Sequence, residues 1–261
     1  MDIKDAVAIV TGSATGIGAA VARKLASRGC RVVINYSKSE VEARETVKRC
    51  GEHGVVTLMI QADVSADEDC RRMVDQTMKE WGRIDILVNN AGISKLADHK
   101  DLDALSADDF LRIYKVNVIG AYQMTRAVAP HMKAHGKGAI INVSSMAGVI
   151  GVGSSIAYAA SKGALNTMTI CLARALAPEI RVNAVCPGLT QTRWLKEVWG
   201  EEATKAVVAH VEQSNPLKAV STPDDVAEPI VWLIEGSDHV TGETLMIDAG
   251  MHLSFAPLVA R

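Results

Sequence analysis

The sequence predicts an α/β fold in which a doubly wound parallel sheet lies between two layers of helices, giving three layers, α/β/α, in one domain. Two observations carry that expectation. Short apolar runs alternate with longer amphipathic stretches along almost the whole chain, which is the pattern of strands joined by crossover helices. No Pro-, Ser- or Gly-rich linker, composition break, repeat or low-complexity tract divides the 261 residues, and open α/β sheets often reach such a length as a single domain.

The elements follow in order. Residues 6–10 are an apolar run too short for a helix, ending at Thr11-Gly12, and predict a buried strand. Residues 17–28 carry Ile17, Val21 and Leu25 at helical spacing and close at Gly29. A second strand is expected over 31–35, a polar helix over 40–53, a third strand over 55–60, a helix over 66–81 and a fourth strand over 84–88. One long helix is expected over 106–132, with Ser106 as its N-cap and Asp109 supporting the first turn. A fifth strand over 139–143 precedes a helix over 157–177, whose apolar stripe is Leu165, Met168, Leu172 and Leu176 and whose stop is Pro178. A sixth strand (181–186), helices near 194–213 and 223–235, and a short strand (244–247) complete the chain.

Composition narrows the function. It is 48% hydrophobic and 22% charged, an ordinary globular balance. With a net charge of −2 and a pI near 6.4, the chain has no basic field to attract a phosphate backbone, so nucleic acid is not an expected partner. Cys30, Cys50, Cys70, Cys171 and Cys186 are scattered without metal-ligand spacing, which fits free thiols in a reducing compartment and no metal. Lys4 before residues 6–10 imitates a signal peptide, but the run is too short and follows Asp2 and Asp5. No apolar run approaches the ~18 residues of a membrane span. The expectation is a cytoplasmic protein without a membrane partner.

Between the first strand and the first helix the sequence reads TGSATGIG, with Gly12, Gly16 and Gly18. Glycines there permit a tight turn and let the backbone approach a pyrophosphate at a helix N-terminus, the dinucleotide-binding device of the Rossmann-type sheet. The same glycines also suit a turn with no ligand. The second strand ends Asn35-Tyr36-Ser37-Lys38. A carboxylate there would hold a ribose 2′-hydroxyl and repel a 2′-phosphate. None is present, and Ser37 and Lys38 suit a phosphate, so NADP is favoured over NAD.

Tyr158 and Lys162 stand four residues apart near a helix start and therefore share a face. Bringing a phenol from pKa ~10 to ~7 takes about 4 kcal/mol of preference for phenolate, which a nearby cation and the positive end of a helix help to provide. Ser145 lies thirteen positions before Tyr158, just past the fifth strand, at the sheet edge where such folds bind ligands. A hydroxyl there suits a substrate carbonyl. Ser144 competes for that role, and spacing prefers Ser145.

The ordered set of TGSATGIG at 11–18, Asp63-Val64, Asn89-Asn90-Ala91-Gly92, Asn117, Ser145, Tyr158-x-x-x-Lys162, Pro187-Gly188 and Thr192 resembles the short-chain dehydrogenase/reductase family in its short, classical type. The resemblance runs from Ala6 to about Gly250. It implies interconversion of a carbonyl and a secondary alcohol by hydride transfer, with a nicotinamide cofactor. Tyr158 would be the general acid/base, Lys162 would lower its pKa and hold the ribose, Ser145 would orient the substrate, and Asn117 would hold a relay water. Gly12, Ser13, Thr15, Gly16, Ile17 and Gly18 would line the pyrophosphate turn, with Tyr36, Ser37 and Lys38 at the adenosine ribose. Asp63 and Val64 would contact adenine, and Asn90, Ala91 and Gly92 would pass beneath the cofactor. Pro187, Gly188, Thr190 and Thr192 would fix the nicotinamide. Two departures pull against each other. Many NADP-using relatives carry a basic residue where this chain has Thr15, and NAD-using relatives usually carry Asp where it has Tyr36. The stretch between Gly92 and Asn117 is slightly longer than usual.

Residues 193–216 fall where this family places a substrate lid. They combine Trp194, Leu195, Val198 and Trp199 with Lys196, Glu197, Glu201 and Glu202. The helices starting near Ser106 and Ala157, together with residues 240–250, imply a homotetramer by the same resemblance. The expected substrate is a small carbonyl or alcohol, with likeness to both 3-oxoacyl-carrier-protein reductases and sugar or polyol dehydrogenases. The alternative is a non-catalytic dinucleotide-sensing regulator on the same fold.

Overall fold

The computed structural model describes residues 1–195, 200–236 and 238–253. Seven strands form one sheet: β1 (Val7–Val10), β2 (Arg31–Tyr36), β3 (Thr57–Gln61), β4 (Ile86–Asn89), β5 (Gly138–Val143), β6 (Ile180–Pro187) and β7 (Thr244–Ile247). Their order is β3-β2-β1-β4-β5-β6-β7, and all neighbours are parallel. Parallel neighbours need crossovers. These are supplied by α1 (Gly16–Ser27), α2 (Glu40–Gly51), α3 (Asp67–Trp81), α4 (Ala107–Tyr114), α5 (Ala121–His135), α6 (Ala147–Ile150), α7 (Ile156–Leu176), α8 (Glu201–Ser214) and α9 (Pro223–Glu235). Winding runs outward from β1 to β3 on one side and from β4 to β7 on the other, so the switch point lies between β1 and β4.

Alternation along the strands divides the core in two. Ala8 and Val10 of β1 and Val32 and Ile34 of β2 pack with Val21, Leu25 and Ile230 on one face. Val7, Ile9 and Val33 pack with Met73, Met124 and Met132 on the other. Strands buried on both faces read as continuous apolar runs, which is why the sequence reveals them so clearly. The doubly wound, three-layer arrangement expected from the sequence is the one observed.

Three local features differ from expectation. The stretch 106–132 is not one regular helix: α4 begins with the expected Ser106/Asp109 capping box, but Lys115–Gly120 winds as a π-type segment before α5 resumes. The inward face of α7 is Ala157, Ser161, Leu165, Thr169 and Ala173, spaced by four, whereas Met168, Leu172 and Leu176 are half-buried. Small residues let this helix approach the sheet closely. The short α6 after β5 carries no periodic signal that would have announced it. Of the region expected to be helical near 194–213, Lys196, Glu197, Val198 and Trp199 lie outside the described residues.

A polar seam crosses the otherwise apolar core beneath the carboxyl edge. Asn89 Nδ2 donates to Asn142 Oδ1 at 2.9 Å and reaches the Ala121 carbonyl and Thr125 Oγ1, each at 3.3 Å. Asn142 Nδ2 donates to Thr169 Oγ1 at 2.9 Å. The seam joins β4, β5, α5 and α7, the elements that carry the site below. Removing one partner of a buried hydrogen bond strands the other. Asn142→Ala should therefore lower unfolding free energy by about 2 kcal/mol, read as a lower urea midpoint at an unchanged slope.

Candidate active site

The carboxyl ends of β1, β4, β5 and β6 open onto one groove of about 1030 Å³. At its floor Gly12 and Gly16 take left-handed backbone conformations, with φ of +62° and +58°, which glycine adopts without a Cβ penalty. Gly18 is needed for close approach: a Cβ there would lie 2.4 Å from Asn90 Nδ2 and 2.7 Å from the Gly12 carbonyl. The turn is locked from two sides. Asn35 Oδ1 accepts from Gly12 N at 2.9 Å. Thr11 Oγ1 accepts from the backbone of Asn90 and Ala91, each at 3.0 Å, while Asn90 Nδ2 donates to the Thr11 and Gly12 carbonyls. Helix α1 then starts at the groove with no side-chain cap and no acidic residue in its first turn. Its first N–H groups and its dipole are thus suited to an anion. The floor therefore fits the pyrophosphate of a dinucleotide.

The groove is lined by Gly12, Thr15, Gly16 and Ile17 of the turn, by Ser37 and Lys38 beyond β2, and by Asp63 and Val64 beyond β3. Asn90, Ala91 and Gly92 follow β4, and Pro187, Gly188, Thr190 and Thr192 follow β6. Four expected site residues do not line it. Ser13 is fully buried and its hydroxyl donates to the Val10 carbonyl at 2.7 Å. Gly18 is covered by Asn90. Tyr36 is packed into the core beside β2. Asn117 sits beneath the groove in the π-type segment. Asp63 also shapes its own turn, accepting from Ser65 N at 2.9 Å.

Ser145, Tyr158 and Lys162 converge above the end of β5. The two serines stand differently: Ser144 is buried and donates to the Lys162 carbonyl at 3.1 Å, while the Ser145 hydroxyl accepts from Ala147 N at 3.1 Å and lines the groove with Tyr158. Ser155 caps α7 by accepting from Tyr158 N at 3.3 Å, which fixes the turn bearing the tyrosine. Lys162 Nζ lies over the Tyr158 ring, 5.7 Å from its centroid, and donates to the Val143 carbonyl at 2.8 Å. The Asn117 side chain is committed to protein. It exchanges hydrogen bonds with the Ile93 backbone at 2.8 and 3.0 Å and donates to Ser161 Oγ at 3.0 Å. Ser161 Oγ in turn donates to the Tyr158 carbonyl at 2.7 Å. Asn117 thus clamps the strand-end loop to the helical turn that bears Tyr158. Ser161 is a link that the sequence reading missed; its only signal was a polar residue at an inward helical position.

At the far end of the groove Trp194 packs against Tyr158, with ring centroids 6.3 Å apart and planes at 31°. Leu195, Val207, Val211, Val152 and Met251 extend this apolar wall. Ser94 and Ser154 also line the groove, and their hydroxyls are 2.5 Å apart. The longer stretch after Gly92 is stitched to the segment before α7 by that contact, by Ala97 N to the Ser154 carbonyl at 2.9 Å, and by His99 on the Gly153 carbonyl at 3.1 Å.

A family model described as enoyl-(acyl carrier protein) reductase matches residues 12–252. The chain is 41% identical over 247 residues to a Streptomyces violaceoruber protein named as ketoacyl reductase 2 of the granaticin polyketide synthase, covering 95% of this chain and 96% of that one. It is 34% identical over 257 residues to glucose 1-dehydrogenase 2 of Bacillus subtilis, covering 97% and 96%. A solved structure described as a short-chain dehydrogenase/reductase from Burkholderia xenovorans is similar with a TM-score of 0.89 at 40% identity, over 95% of this chain and 98% of that one. NAD+-bound xylitol dehydrogenase is similar with a TM-score of 0.86 at 31% identity, over 95% and 99%. The chain belongs to the short-chain dehydrogenase/reductase family. It is an oxidoreductase of the NAD(P)-dependent kind that defines this family.

Two opposed protonation biases mark the site of this dehydrogenase/reductase. Burial pushes the Tyr158 phenol up, and the Ser145 side chain offsets part of that rise. Burial pushes the Lys162 ammonium down to about 8. In the protein alone, then, desolvation outweighs the lowering of the phenol that sequence reasoning expected from the lysine. Lys162 has a lower pKa folded than unfolded, so its burial cost is fully present below about pH 8 and is relieved as pH rises toward the ordinary lysine value. Lys162→Met should stabilise the nucleotide-free protein at pH 7 by about 2 kcal/mol, after allowing for the Val143 carbonyl left without its donor. The gain should shrink between pH 8 and 10. Urea unfolding at both ends of that range is the check, and an equal gain at pH 7 and pH 10 would contradict the burial argument.

Proposed function

We propose that this enzyme interconverts a ketone and a secondary alcohol, with Tyr158 as general acid in reduction and general base in oxidation. The observation that carries the reading is the convergence of Ser145, Tyr158 and Lys162 on one point above a groove that fits a dinucleotide. When bound, the nicotinamide nucleotide supplies or accepts the hydride. Ser145 donates a hydrogen bond to the substrate carbonyl and holds it against the phenol. Tyr158 delivers its proton to that oxygen as negative charge develops there. Lys162 holds its charge beside the ring and favours the phenolate that remains.

The wall of Trp194, Leu195, Val207 and Val211 supports an apolar ketone of the ketoacyl type over a sugar or polyol. Residues 193–216, of which 196–199 lie outside the described residues, act in this reading as a lid, a role supported by the packing of Trp194 against Tyr158. NADP is favoured over NAD because β2 ends at Tyr36 and is followed by Ser37 and Lys38, with no carboxylate there. Homotetramer assembly is supported by apolar side chains left on the outer faces of α5 and α7, namely Ile119 just before α5, Tyr122 and Ile170. Five free cysteines suit the cytoplasm.

Tyr158→Phe should lower kcat for ketone reduction by at least a thousandfold while nucleotide binding changes less than twofold. Turnover near that of the wild type would sink the mechanism. NADPH should bind more tightly than NADH, and Lys38→Ala should narrow the difference; a wild-type preference for NADH would overturn the cofactor reading. Sedimentation at micromolar concentration should give four chains per particle, and a monomer would refute the assembly.

A further inference from the structure

Arg193 opens the segment read above as a lid, and its own side chain has been given no role there. It follows Thr192, whose Cγ2 would lie 3.5 Å from a Cβ built on Gly16, so the chain leaving β6 crosses above the glycine turn here. From that crossing the guanidinium reaches an element 151 residues away in sequence and pairs with the carboxylate of Glu42. Glu42 lies in the first turn of α2, four residues after Lys38. The pair therefore spans the groove at its adenosine end, where Ser37, Lys38 and Ser39 line it.

We infer that Arg193 is a specificity-determining residue for the nucleotide: it leaves Glu42 to pair with a phosphate on the adenosine 2′-oxygen, joining Lys38 from the opposite bank. The inference rests on the dinucleotide reading of the groove and goes beyond it by assigning a phosphate contact from the substrate side of the sheet. Three physical points support it. Both partners of the pair are about half or more than a third exposed, at 49% and 37%, and an exposed ion pair holds its members weakly. A phosphate monoester carries nearly two charges and three acceptor oxygens. Guanidinium binds it bidentately, which the single carboxylate cannot match in charge. Glu42 is then an internal competitor that keeps Arg193 in place and penalises a 2′-phosphate until the arginine turns away.

Calorimetric titration of the full chain with adenosine 2′,5′-bisphosphate and with 5′-AMP tests this without any turnover. Arg193→Gln should weaken the bisphosphate about tenfold and change 5′-AMP less than twofold. Arg193→Lys should recover part of the loss. Glu42→Gln should tighten the bisphosphate severalfold and leave 5′-AMP unchanged, because it removes the carboxylate that competes with the phosphate for the arginine. Equal losses for both nucleotides in Arg193→Gln would show that the arginine only shapes the groove, and no loss for either would show that it stays on Glu42; each result overturns the inference while leaving the groove a nucleotide site. If the wild type binds neither nucleotide, the dinucleotide reading falls and the inference with it.

Discussion

An ammonium held in the core at 4% exposure sets the terms for the rest of this site. Lys162 has one protein acceptor among the described residues, the carbonyl of Val143 at the last residue of β5. That single contact requires β5 to end where it does, and α7 to return over the strand end at close range. The small inward stripe of α7 permits the approach, and the Ser155 cap fixes the helix start. Beneath it, the Asn89–Asn142–Thr169 seam keeps β4, β5 and α7 from sliding against one another. A charge buried at such cost is stable only in a frame this rigid. It is also a charge that a bound anionic nucleotide would stabilise, so the cost of burial in the free protein becomes affinity in the complex.

Much of this was legible in the chain, and the legible part has a common physical origin. Strands buried on both faces cannot hide, because each is a short apolar run. Chain reversals at the switch point demand glycine, and the start of α4 shows its cap, Ser106. The dyad of Tyr158 and Lys162 was legible because helical spacing alone puts them on one face. What escaped were contacts between residues distant in sequence. Nothing local tells that Asn117 faces Ser161, that Ser94 meets Ser154, or that Arg193 reaches Glu42. Ser13, Gly18, Tyr36 and Asn117 were assigned to the groove by the family resemblance of the motifs that contain them. The structure places them one layer behind, where they hold the lining residues in place.

The site divides into parts with different freedoms. The nucleotide floor is built from backbone, glycine and strand ends, and it tolerates little change. The other end is lined from three separate segments: the stretch after Gly92, the segment before α7, and the described residues Trp194, Leu195, Val207 and Val211. Relatives named for ketoacyl, steroid and glucose substrates are what such a division allows. In this chain the groove holds both an apolar wall at Trp194 and a pair of hydroxyls at Ser94 and Ser154.

The π-type segment at Lys115–Gly120 has a different kind of consequence. Such a segment amounts to one residue more than a regular helix needs. Its deletion would give α4 and α5 a more regular hydrogen-bond ladder and turn Asn117 away from Ile93 and Ser161. Selection for stability alone would erase it. The helix thus keeps a local irregularity at the place where Asn117 meets Ile93 and Ser161, and a one-residue shortening there would part the strand-end loop from the turn that bears Tyr158.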